Sequence, residues 1–136
     1  MGSINEGEFR IGELSRRSGV KVTTIRFYES TGLLPEPPRT QTARRRYNEQ
    51  YLRRLLFVRH ARELGFETSD VRSLLNLVDH PDSSCLQAGK IARRHMDAIE
   101  RKIATLVNLR GTLERMTDGC TNAQVATCRV IETLST

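Results

Sequence analysis

Two cysteines near the end of the chain, Cys120 and Cys128, bracket seven residues, Thr121 to Thr127, that carry no charge and no histidine. A third, Cys85, lies far upstream and completes the chain's count of three. Sulfur donors without a histidine beside them favour thiophilic ions over Mg or Ca. The same loop pair can also be read as a reversible disulfide, the basis of a thiol redox sensor. Catalysis is the weaker reading. A nucleophilic cysteine needs a base, and His60, His80 and His95 show no pairing with the cysteines. The chain is therefore expected not to be an enzyme.

The elements between the cysteines decide which of them can meet. After the breaker His80-Pro81-Asp82-Ser83, the run Ser84-Cys85-Leu86-Gln87 fits a capping box, serine at the N-cap and glutamine three residues on. From Ala88 through Met96, Ile103 and Leu109 to Met116, apolar residues recur by threes and fours, flanked by charged ones. A helix over Cys85–Asp118 spans about 50 Å at 1.5 Å per residue. A domain this small cannot cover such a seam with its own mass, so a homodimeric two-stranded coiled coil is expected. Within one chain, Cys85 and Cys120 then sit at opposite ends of the helix. A parallel dimer brings the two Cys85 thiols together. An antiparallel one brings Cys85 of one protomer to Cys120 and Cys128 of its partner, twice per dimer. Cys85 at the helix start also lies on the positive end of the helix dipole, which favours its thiolate. Ile131 and Leu134 offer an apolar lid on a brief last helix.

The other end of the chain carries different chemistry. Residues 1–64 hold 13 Lys/Arg against 7 Asp/Glu, whereas residues 65–136 hold nine of each, so all of the net +6 lies in the first half. Such asymmetry points to a polyanion-binding half joined to a neutral half. Arg10–Arg17 reads as a short helix with Ile11 and Leu14 inward, ended at Gly19. Val22–Glu29 restarts a helix behind a threonine N-cap, and Gly32 stops it. Two short helices across a Gly-containing turn make a helix-turn-helix candidate. Leu33–Ala43, with three prolines, is a loop that runs into the basic segment Ala43-Arg44-Arg45-Arg46-Tyr47, and residues 39–47 allow a short wing. Asn48 is placed to cap a helix over Glu49–Leu64, and another follows over Ser69–Val78. At 136 residues, with 38% hydrophobic and 28% charged residues, the chain suits one small helical domain with an extension. No apolar run approaches the roughly 18 residues of a membrane span. The expected setting is cytoplasmic, where thiols stay reduced, without membrane partners.

Along almost its full length the sequence resembles the MerR family of bacterial transcription regulators. Ile11-Gly12-Glu13-Leu14, Thr24-Ile25-Arg26-Phe27-Tyr28-Glu29, Gly32-Leu33-Leu34-Pro35, Arg45-Arg46-Tyr47 and Leu64-Gly65-Phe66 carry the resemblance. It implies a mainly all-α fold: a winged helix-turn-helix domain over 8–78, an antiparallel coiled-coil dimerisation helix over 84–118, and a metal-binding loop with a short helix over 119–136. It implies DNA contacts at Arg16, Thr23, Thr24, Arg26 and Tyr28 on the helix-turn-helix and at Arg44, Arg45, Arg46 and Tyr47 on the wing, with Phe27 in the core. It also implies a homodimer on promoter DNA that distorts the duplex on ligand binding, so that RNA polymerase engages both promoter elements. The metal ligands would be Cys85, Cys120 and Cys128. A cysteine at the start of the dimer helix resembles sensors of divalent Zn, Cd, Pb or Hg, whereas the seven-residue loop resembles Cu(I) sensors. The extra thiolate changes the charge of the site and the loop only its shape, so Cd, Pb or Hg is favoured. Zn remains open, with His80 as the nearest fourth donor, and Cu(I) is the alternative.

Overall fold

The helix-turn-helix is set by side chains that meet at one turn. A computed structural model describes residues 7–37, 46–120 and 124–136. In it, α1 spans Ile11–Ser18 and α2 spans Val22–Ser30. Gly19 ends α1 with φ 73°, its N–H donating to the Ser15 carbonyl. That left-handed conformation is open to glycine at little cost. The Ser15 hydroxyl donates to the Val20 carbonyl at 2.6 Å, and the buried Ser18 hydroxyl accepts from the Val20 N–H at 3.1 Å. The corner is thus closed by its own polar groups. The expected threonine N-cap on α2 is corrected: Val22 is already helical, and Lys21 holds the cap position without a side-chain bond.

Three further helices follow: α3 over Glu49–Glu63, α4 over Thr68–Val78 and α5 over Leu86–Thr117. Asn48 caps α3 as its position suggests, its Oδ1 accepting from the Tyr51 N–H at 2.9 Å. Val125–Thr127 form one turn of 3₁₀ helix, and α6 spans Arg129–Leu134. Among the described residues the one strand-like pairing is an antiparallel bridge between Phe9 and Tyr47, with N···O distances of 2.8 and 2.9 Å. Most of the expected wing, including Arg44 and Arg45, lies outside the described residues.

The chain divides into two compact units, Met1–Ala88 and Gly89–Thr136. In the first, Leu14, Ile25, Leu33, Leu34, Tyr47, Leu55, Val58 and Val71 are buried to 2% exposure or less and form one core. The amphipathic stripes of α1 to α4 converge there, as their spacing requires. In the second, α5 exposes Met96, Ile99, Ile103, Leu106, Leu109 and Leu113, between 39% and 64% each. Its 32 residues make it about 48 Å long. Among the described residues no helix is long and apolar enough to cross a membrane.

Candidate functional site

The surface of the first unit is built on α2, the second helix of the corner. Ile25 and Glu29, four residues apart, both face inward and are buried. That leaves Thr23 and Arg26 exposed, with Thr24 and Tyr28 half-buried. Tyr28 packs against the core by its ring. Phe27 lies two positions from Ile25, about 200° around the helix, and is 57% exposed. The expectation that it belongs to the core is therefore corrected: it stands on the outer face beside Arg26.

Arg16 is exposed on α1 and held by Glu13, with N···O distances of 2.5 and 3.1 Å. The guanidinium keeps the Glu13 carboxyl below its ordinary range, chiefly through that hydrogen bond. A phosphate would have to displace an exposed carboxylate to take Arg16. Arg17 instead pairs with Glu49 at 2.6 Å and lies over the Phe9 ring at 4.9 Å, tying α1 to the start of α3.

Arg46 is half-buried at the end of the basic segment. Its neighbour Tyr47 does not match its expected role. The side chain is 1% exposed, its ring edge-on to Tyr51 at 4.8 Å and its hydroxyl donating to Glu29 Oε1 at 2.6 Å. A side chain so enclosed has no surface to offer DNA, and Tyr47 is corrected from contact to core. Glu29 itself was missed as a residue of consequence. The available signal was an acidic residue four positions after Ile25, on the inward stripe of a helix.

The sulfur site has two parts. Gly119, at φ 81°, turns the chain after α5, and the Cys120 thiol donates to the Met116 carbonyl at 3.3 Å. Cys128 stands at the N-cap of α6. The backbone of Ile131 and then Val130, at the start of α6, favours the thiolate and holds the Cys128 thiol below its ordinary value, while desolvation acts the other way. The nearby Cys120 side chain acts in the same direction, as the smallest of these causes. The structure thus brings Cys120 and Cys128 together, across a loop whose residues 121–123 lie outside the described residues. This donor set, one thiol lowered from its ordinary value beside another, fits a thiophilic cation.

Cys85 is exposed immediately before α5, whose second residue back, Ser84, accepts the Leu86 N–H at 3.1 Å. His80, exposed after α4, has Nδ1 2.8 Å from the Asn76 carbonyl, a local helix-end contact. Ile131 and Leu134 are exposed by 46% and 73%.

Comparison with known proteins identifies this arrangement. Residues 9–77 match the family described as MerR HTH family regulatory protein, and residues 52–116 match that described as MerR, DNA binding. The chain belongs to the MerR family. It is a DNA-binding transcription regulator and not an enzyme. The mercuric resistance operon regulatory protein of Bacillus cereus is 38% identical over 128 residues, covering 93% of this chain and 97% of the relative. The regulator ZntR of Escherichia coli K12 is 34% identical over 129 residues, covering 93% and 92%. The structure of PbrR691 from Ralstonia metallidurans CH34 in complex with lead(II) superposes with a TM-score of 0.84 at 36% identity, covering 93% of this chain and 98% of that one.

Proposed function

We propose that this MerR-family regulator senses a thiophilic divalent ion as an antiparallel homodimer on promoter DNA. DNA contacts are assigned to Arg16, Thr23, Thr24, Arg26 and Tyr28 on α1 and α2, and to Arg44, Arg45 and Arg46 on the basic segment. The arginines would neutralise phosphates, while the exposed face of α2 would offer polar side chains to base edges in the major groove. The ion would be held by Cys120 and Cys128 of one protomer and Cys85 of the partner subunit, giving two equivalent sites per dimer. A bound cation would join thiolates of two chains and so couple the sensor ends to the two DNA-binding units. Distortion of the promoter and engagement of RNA polymerase follow from that coupling.

The observation that carries the metal reading is the proximity of Cys120 to Cys128, whose thiol lies below its ordinary value at the start of α6. The relatives' names support it: one regulates mercuric resistance, and another is described in complex with lead(II). Cd, Pb or Hg is favoured, because three sulfurs suit them and zinc ordinarily takes a fourth ligand. The same proximity supports a second reading, a Cys120–Cys128 disulfide switch, which has no use for Cys85. Titration with Pb(II) or Hg(II), followed by sulfur-to-metal charge-transfer absorption, separates the two. The expected result is two ions per dimer and a weakened signal in Cys85→Ser. Tight binding unaffected by Cys85→Ser would contradict the three-thiolate site.

A further inference from the structure

We propose that Glu29 is a positioning residue for DNA binding, fixing the end of the basic segment to the last turn of α2 so that both meet the duplex as one preformed surface. The inference rests on the assignment of α2 and Arg46 to the DNA contact. Glu29 is only 8% exposed, on the inward face of a helix whose outward face carries Thr23 and Arg26. A carboxylate in that place is costly unless hydrogen-bonded. Its Oε1 accepts from the Tyr47 hydroxyl at 2.6 Å and lies 3.3 Å from the Tyr51 hydroxyl, which is also 2.9 Å from the Pro35 carbonyl.

These contacts join three parts of the unit that sequence separates: the end of α2, the turn after it at Pro35, and the junction of the basic segment with α3. Tyr47 is covalently next to Arg46, and its backbone is pinned on the other side by the bridge to Phe9. The chain at Arg46 is therefore held from two directions, by the backbone pairing to Phe9 and by the Tyr47 hydroxyl on Glu29. Loss of the Tyr47–Glu29 bond would leave the core ring in place and free the backbone at Arg46 to move relative to α2. Arg46 would then no longer be held where it meets a phosphate, and that contact would be lost from the complex.

The test uses full-length protein and an operator duplex, with affinity measured across a salt series. Each phosphate contact contributes about 0.9 to the slope of log K against log salt. Tyr47→Phe is expected to weaken binding by on the order of tenfold and to lower the slope by about one. In an Arg46→Ala background the same change should have little further effect. Tyr51→Phe removes a hydroxyl from the same cluster and serves as the structural control: it should lower thermal stability and leave the slope unchanged. If Tyr47→Phe does not fold, Glu29→Asp replaces it, retaining the charge one methylene short of Tyr47, and the same slope loss is expected. An unchanged slope in whichever of these folds, or an equal loss in Tyr51→Phe, would overturn the positioning role. If Arg26→Ala and Arg46→Ala themselves leave binding unchanged at every salt concentration, the DNA-surface assignment fails instead.

Discussion

The two units of this chain differ in how far one copy can complete them. In residues 1–88 the apolar stripes of α1 to α4 close on one another, and Leu14, Ile25, Leu55 and Val58 are all fully buried. In residues 89–136 the corresponding stripe lies open along α5, where Leu106 is 64% exposed and Ile103 54%. The proposed ligand cysteines repeat the contrast, since Cys120 lies beside Cys128 within one chain and Cys85 is placed elsewhere along it. The DNA-binding unit is thus organised by its own core. The second unit leaves its apolar stripe open along α5, the surface on which the proposed homodimer rests.

The contrast can be broken first at α5. Ile103→Asp places a charge in the seam, where an unpaired buried carboxylate costs about 3–5 kcal/mol. It should abolish the dimer at micromolar concentration and leave the helical signal of the first unit intact. Sedimentation as a dimer would show that the seam lies elsewhere. The opposite pattern is expected of Leu55→Ala. Emptying this fully buried site in α3 should lower unfolding stability by about 2–5 kcal/mol, measured by urea denaturation. Dimerisation through α5 should persist wherever the first unit remains folded.

Gly19→Ala is the next smaller change. At φ 73° an alanine is strained by about 1–2 kcal/mol, and its Cβ would sit 2.7 Å from Arg59 Nη1, the atom that donates to the Ser18 carbonyl. The arginine has to move and the corner loses a strut, so operator affinity should fall together with melting temperature. Asn48→Ala removes one helix cap and should cost only about 1 kcal/mol in the same melt. An Asn48→Ala effect as large as that of Leu55→Ala would mean that the first unit depends on α3 nucleation more than on its core.

What the sequence shows well are features with local causes. Asn48 caps α3 because a side-chain oxygen there meets an N–H three residues on, and the long α5 is visible because its apolar period runs unbroken past Leu113. The misread residues have distant or rotational causes. Tyr47 follows three arginines and looks like part of their surface, yet its ring packs in the core against Tyr51 and its hydroxyl meets Glu29, 18 residues earlier in the chain. Phe27 is apolar and looks like core, although its angle from Ile25 turns it outward. The start of α2 depends on a corner closed by Ser15, Ser18 and an arginine 41 residues after it, which no threonine preference can reveal. In the sensor half, the cysteines are plain in the sequence, but their grouping depends on how two helices pair.

That grouping is tested most directly by mixing protomers. A heterodimer is assembled from Cys85→Ser and from the double variant Cys120→Ser, Cys128→Ser, purified by distinct tags, and titrated with Hg(II) or Pb(II) under reducing conditions. The shared-site account predicts one three-thiolate site per heterodimer, formed by the loop cysteines of the first chain and Cys85 of the second, with half the wild-type charge-transfer amplitude. A heterodimer with no three-thiolate site would contradict it.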